Sequence, residues 1–544
     1  MAVSGKRNRR YALGLDYGTE SVRALVVDCT DGTEAAEAVV PYSHGVISRV
    51  LPGGSKELPP DFALQHPGDY LDGALKAVAK VLEKVDARDI VGIGVDFTAC
   101  TILPITKDGT PLMQLEKFRS NPHSWVKLWK HHAAQPEADA VNRVAAERSE
   151  KFLKYYSGLV SSEWMLPKCW ELATHAPEVY AAADYVIDAG DWIVHQLTGQ
   201  FTRNSCAAGY KGLWNSELGF PSQEFLTALD PKLSSLRDKW LTNIVAPGAV
   251  AGRVTKAFAA KSGLIEGTPV SAATIDAHSG VAGMGVYREG PLCLIMGTST
   301  CHMALSRELH LFDGYAGVVK DGIIPGFHGY ESGQSAVGDI FGWFSKHFMD
   351  TPFDELSAKA AALKAGQSGL VALDWHNGNR SVLMNANLTG MILGMTLETR
   401  PEEVYRALIE ATAFGTRAIV DTHVKNGVPV TELVVCGGLV KDPLIMQIYA
   451  DVTGVPVKVA ASGQAVALGA AIFGALAATG STDVETTITR MTKPPVRTYL
   501  PVPEARATFD RLYQVYARAH DLFGRENAQL MKNLKALRKE TLHG

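Results

Sequence analysis

The sequence predicts a protein of the α/β class with two large domains. The chain has 544 residues, and hydrophobic cores stop growing at roughly 250–300 residues, so about two domains are expected. Short β-rich runs alternate with longer helical segments along the chain. Two apolar strands that each end in Gly-Thr, Leu13–Thr19 and Leu292–Thr298, lie about half a chain apart. A duplicated domain with one phosphate-binding hairpin per copy would produce this echo.

The individual elements follow from the same alternation. The strand candidates are the short β-rich runs Tyr11–Asp16, Ala24–Asp28, Val91–Asp96, Val270–Ala273, Leu292–Met296 and Leu433–Cys436. The helix candidates are the longer segments Pro67–Val85, Pro401–Thr422, Pro443–Val452 and Glu504–Lys539. The helix from Pro401 has a clear start, since a first-turn proline is followed by two glutamates near the positive end of the helix dipole. No low-complexity linker separates the halves, and we expect domains 1–282 and 283–544 to share an interface.

Composition and charge exclude several classes of partner. The chain is 46% hydrophobic and 20% charged, which is typical of a globular protein. Its formal net charge is −4, so it has no basic field to hold a nucleic acid or an acidic membrane. The seven cysteines are scattered without a Cys-x-x-Cys pair, which favours a reducing compartment and argues against a disulfide framework or a structural zinc site.

The sequence also predicts neither a signal peptide nor a membrane-spanning segment. Residues 1–10 are basic but lead straight into a strand, without the apolar stretch of a signal peptide. The longest apolar run, Ala465–Ala478, is shorter than the roughly 18 residues that a membrane span needs. Because the run is rich in alanine and glycine, it predicts a buried helix packed closely on its neighbours. We therefore expect a cytoplasmic protein.

The phosphate-binding candidates are the two Gly-Thr turns. The chain has no P-loop motif, no intact Gly-x-Gly-x-x-Gly, no Gly-x-Ser-x-Gly and no His-Arg-Asp. These absences remove the P-loop, dinucleotide, hydrolase and protein-kinase interpretations. A tight glycine turn lets backbone N–H groups approach phosphate oxygens, and a threonine hydroxyl adds a donor.

Three further positions follow apolar strands and could carry chemistry. Asp16 lies between strand residues and a glycine turn, where it either organises Mg²⁺ beside phosphates or caps its own backbone. Asp276 follows Val270–Ala273 and either accepts a proton during phosphoryl transfer or caps a helix. Gly437 and Gly438, at a strand-to-helix turn, either admit an adenine or a phosphate or form an ordinary loop.

Other conspicuous residues predict structure rather than chemistry. His131 and His132 are adjacent, and neighbours on a helix point about 100° apart, so they should not share a metal ion. Trp125 and Trp129 are four residues apart and predict a buried helical face. We expect the Lys/Arg-rich C-terminal end to be a solvated helix terminus.

Taken together, these motifs resemble the FGGY family of carbohydrate kinases over nearly the whole chain. The stretch from Gly14 to Arg23 resembles the first phosphate motif of that family, Met296–Ser299 the second, and Cys436–Asp442 the adenosine motif. Lys168-Cys-Trp170 is similar to the Lys-x-Trp signature of the family. Asn387–Gly394, leading into Arg406–Ala411, is similar to its second signature.

The resemblance implies a fold, two cofactors and a set of roles. The fold would be the two-domain, actin-like ATPase (ribonuclease H-like) fold with the active site in the interdomain cleft, and the cofactors would be ATP and Mg²⁺. Asp276 would be the catalytic base, and Asp16 would organise Mg²⁺ through its water shell. The nucleotide-binding residues would be Gly18, Thr19, Glu20, Arg23, Gly297, Thr298, Gly437, Gly438 and Asp442.

The resemblance also indicates which sugar is the substrate. Gly94–Thr101 departs from the Gln-containing sugar motif of the xylulose and glycerol kinases in the family, and resembles the branch that phosphorylates ribulose, as do Asn121–Ala133 and Gly329–Ala336. The implied reaction converts ribulose, in its L form, to ribulose 5-phosphate in arabinose breakdown. The implied sugar-binding residues are Asp96, Ala99, Lys211, Asp276 and Glu331: Ala99 leaves room at a strand end, while Lys211 and Glu331 offer a cation and an anion to the hydroxyls.

Two alternatives stay open at this point. One keeps the family but changes the substrate to another ketopentose or a polyol. The other is a non-kinase, actin-like ATPase that serves as a chaperone or filament subunit. Asp276 and the segment Asp96–Thr101 favour the kinase. We expect a small sugar and ATP as partners, with no nucleic acid and no membrane, and leave a homo-oligomer open.

Overall fold

The computed structural model describes residues 9–349 and 351–543, so most of the basic start of the chain lies outside the described residues. The strands, numbered in chain order, are β1 (Tyr11–Tyr17), β2 (Ser21–Asp28), β3 (Glu34–Pro41), β4 (Leu64–Gln65), β5 (Ile90–Phe97), β6 (Ile102–Ile105), β7 (Val126–Lys127), β8 (Tyr185–Asp188), β9 (Arg203–Asn204), β10 (Ile244–Val245), β11 (Val250–Arg253), β12 (Pro269–Ser271), β13 (Thr274–Ile275), β14 (Gly290–Met296), β15 (Thr300–Ser306), β16 (Gly317–Lys320), β17 (His328–Gln334), β18 (Val371–Leu373), β19 (Met391–Leu393), β20 (Val430–Gly437), β21 (Val457–Val459) and β22 (Arg497–Tyr499).

The α-helices are numbered in the same way. They are α1 (Pro67–Leu82), α2 (Gln135–Glu147), α3 (Met165–His175), α4 (Pro177–Ala182), α5 (Ala189–Thr198), α6 (Ser205–Tyr210), α7 (Gln223–Leu229), α8 (Lys256–Ser262), α9 (Asp276–Gly283), α10 (Gly338–Phe344), α11 (Phe353–Ala361), α12 (Pro401–Lys425), α13 (Pro443–Thr453), α14 (Ala465–Thr479), α15 (Val484–Met491), α16 (Pro503–Asp521) and α17 (Ala528–His543). None of these helices combines the length and the apolar character that a bilayer crossing requires, within the residues described.

The chain forms two compact units, each built from segments that are not contiguous in the sequence. The first contains the described residues up to Tyr287, together with Val318–Gly329 and Gln464–Lys493. The second contains Arg288–Gly317, Tyr330–Gly463 and the chain from Pro494 onward. The α/β class is confirmed, since each unit is built on a mixed β-sheet with helices packed against it.

The sheet of the first unit runs in the order β11-β12-β5-β1-β2-β3. Strands β1 and β2 form an antiparallel hairpin, and β5 pairs with β1 in parallel. Every residue of β1 is buried, as expected for a central strand covered on both faces, whereas β3 alternates between buried and exposed residues. Parallel pairing brings the carboxyl ends of β1 and β5 to the same edge of the sheet, which is where the candidate site begins.

The sheet of the second unit follows the same plan. Its strands run in the order β17-β15-β14-β20-β21-β22, with an antiparallel hairpin formed by β14 and β15 and a parallel pairing between β14 and β20. In both units a further parallel strand follows, and then an antiparallel one, at the edge opposite the hairpin. The two similar Gly-Thr segments of the sequence therefore lie in equivalent hairpins, β1–β2 and β14–β15, of two similar sheets.

Helix α14 explains the alanine- and glycine-rich run near residue 470. It lies on β1 and β5 so closely that a Cβ atom built on Gly94 would stand 1.7 Å from the carbonyl oxygen of Ala470, and one on Gly14 would stand 2.0 Å from that of Ala467. On the helix, a Cβ on Gly474 would stand 2.5 Å from the Gly94 backbone nitrogen. The prediction of a buried, closely packed helix is confirmed, and glycine is required on both sides of the contact.

A second group of helices adds a separate core to the first unit. Helices α2, α3, α4 and α7 enclose buried side chains that include Phe152, Trp164, Leu172 and Phe225. A four-stranded sheet in the order β4-β7-β6-β8 belongs to the same unit. Its strand β6 follows β5 after a four-residue turn at residues 98–101, the segment in which the sugar-binding Ala99 is predicted.

Two of the predicted elements are wrong in detail. The single helix predicted over Glu504–Lys539 is two helices, α16 and α17, because the chain leaves the α-helical path over Leu522–Glu526. Gly524 lies at this break, where a Cβ would meet the Leu383 side chain at 2.3 Å. Trp125 and Trp129 do not share a helix, since strand β7 lies between them and pairs with β4 and β6.

Candidate active site

Three aspartates of the first unit converge at the carboxyl ends of adjacent strands. Asp16 in β1 pairs in register with Asp96 in β5, and Asp96 pairs with Thr274 in β13, two residues before Asp276. Because side chains alternate across a strand, Asp16 shares the face of Gly14, and Asp96 shares the face of Gly94. Both carboxylates thus point to the α14 side of the sheet, beyond the glycines that admit that helix.

The three carboxylates differ in exposure and in partners. Asp16 is 4% exposed and pairs with the Arg23 guanidinium at 3.0 Å, and Asp96 is completely buried. Asp276 is half-buried as the first residue of α9, where its Oδ1 accepts the Ala277 N–H at 2.7 Å. Asp276 is therefore the carboxylate of the three that is most accessible to a substrate.

Burial and mutual repulsion make this group unusual electrostatically. Burial raises the pKa of Asp16, against the opposing effect of Arg23. Burial raises the pKa of Asp96 well above its ordinary value, and the negative charges of Asp16 and Asp276 raise it further. Within the described chain neither Asp96 oxygen has a hydrogen-bond partner of good geometry, and the nearby Ser279 hydroxyl donates to the Val466 carbonyl oxygen instead. Such a cluster favours a proton or a bound cation.

The first Gly-Thr turn lies next to the carboxylates and is fixed from outside. The Gly18 N–H donates to the Ser21 carbonyl oxygen at 3.0 Å and closes the turn. The buried Gln65 amide donates to the Thr19 carbonyl oxygen at 2.6 Å, and the Trp129 indole N–H donates to the Thr19 hydroxyl at 3.0 Å. Since that hydroxyl accepts a hydrogen bond, its own proton remains to be donated. Glu20, the next residue, is exposed.

The predicted sugar-binding residues of the first unit lie on neighbouring elements. Ala99 is half-buried in the turn between β5 and β6, three residues after Asp96. Lys211 follows α6 and is 6% exposed, and its ammonium stands over the Trp164 ring at 5.5 Å from the centroid. His278 is buried against Tyr210, with 4.2 Å between the ring centroids.

The predicted nucleotide-binding residues of the second unit form one cluster. Gly297 and Thr298 are exposed in the turn between β14 and β15. Their carbonyl oxygens accept N–H groups from the start of α10, with Gly338 on Gly297 at 3.1 Å and Val337 on Thr298 at 2.8 Å. Gly437 pairs in register with Met296 at the end of β20, so it lies beside that turn.

Gly437 has a conformation that only glycine adopts readily. Its φ is +104°, and a Cβ there would stand 2.3 Å from the Met296 carbonyl oxygen. Gly438 is exposed, with no atom within 4 Å of a built Cβ. Asp442 caps α13, where it accepts the Leu444 N–H at 2.8 Å and the Ser357 hydroxyl. Glu331, the remaining predicted residue of this unit, is 4% exposed in β17.

Sequence reasoning missed the residues that hold these turns. Gln65 lies in a two-residue strand, and its amide is oriented by the buried Tyr70 hydroxyl at 2.6 Å. No local motif marks such a residue, because the contact joins positions 46 residues apart. His131 has a structural role, as expected, because it is buried and its Nε2 lies 3.0 Å from the Glu171 carboxylate.

Comparison with known proteins identifies the family. Residues 11–283 match the N-terminal domain, and residues 292–478 the C-terminal domain, of the FGGY family of carbohydrate kinases. The chain is 50% identical to proteins named ribulokinase from Geobacillus thermodenitrificans, over 97% of both chains, and from Halalkalibacterium halodurans, over 97% of this chain and 98% of the relative. A xylulose kinase structure from Rhodospirillum rubrum is 23% identical, with a TM-score of 0.79 over 94% of this chain and 99% of that one.

The chain therefore belongs to the FGGY family of carbohydrate kinases. It is a carbohydrate kinase with the two-domain, actin-like ATPase fold, and its full-length relatives at about half identity are ribulokinases. The alternative of a non-kinase ATPase is thereby wrong. The choice among sugars is a separate question.

Proposed function

We propose that this enzyme phosphorylates ribulose, with L-ribulose preferred, and produces ribulose 5-phosphate and ADP in the breakdown of arabinose. The observation that carries the proposal is the cluster formed by the carboxylates of Asp16, Asp96 and Asp276 beside a Gly-Thr turn. The choice of ribulose is supported by the relatives named ribulokinase, which match the chain from end to end at about half identity.

The residues of the first unit fit the phosphates and the divalent cation that ATP carries. Asp16 pairs with the Arg23 guanidinium, and burial raises the pKa of both Asp16 and Asp96, so a divalent cation bound beside them would favour their ionised forms. Asp16 would hold Mg²⁺ through its water shell, and Arg23 would orient that carboxylate and oppose the rise in its pKa that burial causes. Mg²⁺ would supply charge neutralisation on the phosphates. The Gly18 and Thr19 turn and Glu20 would line the phosphate path, with the Thr19 hydroxyl as a donor.

The second unit would hold the rest of the nucleotide. Gly297 and Thr298 repeat the Gly-Thr turn of the first unit and present exposed backbone to a phosphate. Gly437 and Gly438 would admit the adenosine, since a side chain at Gly437 would collide with β14. Asp442 would orient this loop through its cap on α13.

In the proposed reaction, Asp276 is the general base. Its carboxylate takes the proton of the attacking sugar hydroxyl, the hydroxyl oxygen forms a bond to the γ-phosphorus, and the bond from that phosphorus to the bridging oxygen breaks to release ADP. Asp276 suits this role because it is the least buried of the three carboxylates. Asp96, Ala99, Lys211 and Glu331 would bind the sugar, with Lys211 and Glu331 as hydrogen-bonding partners of its hydroxyls.

The proposal is tested by identifying the product. The enzyme is incubated with Mg²⁺, ATP and L-ribulose, and the sugar phosphate is examined by ³¹P–¹H correlated NMR. We expect one monoester whose phosphorus couples to the two protons on carbon 5. A phosphate at another carbon, or turnover of ATP without any sugar ester, would contradict the proposal.

A further inference from the structure

Lys168 carries a buried ammonium group without an obvious structural need for its charge. It lies in α3 with no exposed surface. Its Nζ donates to the carbonyl oxygens of Cys100 and Leu128, at 2.8 Å each, and both acceptors are neutral. Lys127, by contrast, is nearly as buried but pairs with the Glu171 carboxylate at 2.5 Å. Burying a cation is costly, and burial lowers the pKa of Lys168 accordingly.

One of the two acceptors belongs to a strained residue. Cys100 has a φ of +43°, in the left-handed region that non-glycine residues rarely adopt. It follows Ala99 in the turn from β5 to β6. The rest of this turn is fixed at its ends, by the Thr98 N–H on the Tyr17 carbonyl oxygen at 3.1 Å and by the Thr98 and Thr101 hydroxyls at 2.8 Å. Lys168 is the side chain that binds the strained residue itself.

The other acceptor gives the ammonium a firm anchor. Leu128 is buried, and its own N–H donates to the Ala63 carbonyl oxygen at 2.9 Å, beside the pairing of β4 with β7. The Leu128 carbonyl oxygen is therefore fixed independently of Lys168. An ammonium held between this oxygen and that of Cys100 fixes the position of the turn relative to the small sheet.

We infer that Lys168 is a positioning residue for the sugar: by binding the Cys100 carbonyl oxygen it fixes the left-handed turn and sets how far Ala99 reaches toward the substrate. This makes Lys168 a determinant of which ketopentose fits. The inference rests on the proposed function, in which Ala99 lines the sugar pocket. Lys168 does not touch the sugar, so it acts on binding and selectivity through the backbone of the turn.

The test compares three variants in steady-state kinetics and thermal unfolding. Lys168→Met keeps the apolar stem and removes the ammonium. We expect its KM for L-ribulose to rise by about 10- to 100-fold, the effect of losing a charge-assisted hydrogen bond. Its KM for ATP should stay within about threefold, because the nucleotide turns do not contact Lys168. The ratio of kcat/KM for ribulose over xylulose should fall.

A second substitution separates positioning from stability. Glycine adopts a positive φ without strain. Adding Cys100→Gly to the Lys168→Met variant should therefore lower the KM for L-ribulose part of the way back to the wild-type value, while the Tm stays low. Lys127→Met is the matched control, since it removes an equally buried ammonium that binds Glu171 and not the turn. It should lower the Tm and leave the sugar preference unchanged.

The outcomes are distinguishable. A Lys168→Met enzyme with a lower Tm but an unchanged KM and sugar ratio would show a purely structural lysine and overturn the inference. Failure of Cys100→Gly to restore sugar binding would also overturn it. If Lys168→Met is insoluble, Lys168→Arg makes the same comparison, because its planar fork cannot occupy the single Nζ position. A wild-type enzyme that prefers another sugar refutes the proposed substrate instead, and the variants are then compared on that sugar.

Discussion

Replacing Asp276 by asparagine should separate catalysis from stability. The substitution keeps the shape and the Oδ1 that accepts the Ala277 N–H, but removes the proton acceptor. Loss of a general base lowers rates by about 10²- to 10⁴-fold, or about 2.7–5.4 kcal/mol of transition-state stabilisation. The charge of Asp276 also contributes to the raised pKa of Asp96. Removing it should relieve that repulsion and lower the pKa of Asp96 toward its ordinary value.

The expected result is an enzyme that is slower and no less stable. We expect kcat for L-ribulose to fall at least about 100-fold while Kd values for sugar and nucleotide stay within about threefold. The Tm should not fall, because the substitution removes a charge that repels Asp96. Stopped-flow ADP release, isothermal titration and calorimetry measure these three quantities. Asp483→Asn, at the helix cap of α15, is the control. A kcat within about threefold of the parent would refute the role of Asp276 as base, and a large loss of Tm would refute the argument from repulsion.

Three further predictions concern the metal, the close helix contact and a buried carboxyl group. Asp16→Asn should raise the KM for Mg²⁺·ATP by about 10- to 100-fold and leave sugar binding nearly unchanged; titration showing the reverse would exclude the metal role. Gly94→Ala should lower the free energy of unfolding by at least about 3 kcal/mol, because its Cβ would stand 1.7 Å from the Ala470 carbonyl oxygen. Gly342→Ala is the control and should be neutral, since a Cβ there meets nothing within 4 Å. Equal Tm values for the two variants would contradict the close packing of α14. Burial raises the pKa of Asp374 to about 6 from 3.8, so its protonated form stabilises the fold below about pH 4 and this stabilisation is lost as the pH rises through 6. Urea unfolding should show the wild type losing about 3 kcal/mol relative to Asp374→Asn between pH 4 and 7, and parallel pH profiles would contradict this.

The sequence alone predicts the parts of the fold that are encoded locally. Strands β1, β5, β14 and β20 are mostly apolar and mostly buried, and a buried central strand needs such a run, so the sequence predicts each of them within a few residues. The first-turn proline of α12 and the glutamates that follow it mark a helix start that can be read directly, and the Arg400 N–H donates to the Glu403 carboxylate at 2.8 Å.

Long-range contacts were beyond local patterns. The alanine-rich sequence of α14 predicts a close neighbour, but not that the helix returns from the second half of the chain to lie on β1 and β5. Gly524, at the break between α16 and α17, lies against Leu383, which is far away in sequence, so no local pattern reveals this contact. Trp125 and Trp129 have helical spacing, yet strand pairing with β4 and β6 overrides it.

The candidate site divides in the same way. The motifs predict Asp16, the Gly-Thr turns and Asp276, because each follows directly on a recognisable strand. Gln65 lies outside every motif, and Lys168 lies in the Lys-x-Trp signature, which does not reveal its partner. The hydrogen bonds from Gln65 to Thr19 and from Lys168 to Cys100 each join residues far apart in the chain, so sequence spacing does not predict them.

The preference among sugars tests the central claim most directly. Coupled ADP release is measured with L- and D-ribulose, L- and D-xylulose, ribitol and glycerol at saturating Mg²⁺·ATP. The account predicts the highest kcat/KM for L-ribulose and a value for glycerol lower by about 10⁴-fold, because a site built to bind hydroxyls rejects a substrate that lacks them. An equal or higher kcat/KM for xylulose, ribitol or glycerol, or ADP release that does not depend on a sugar, would contradict it.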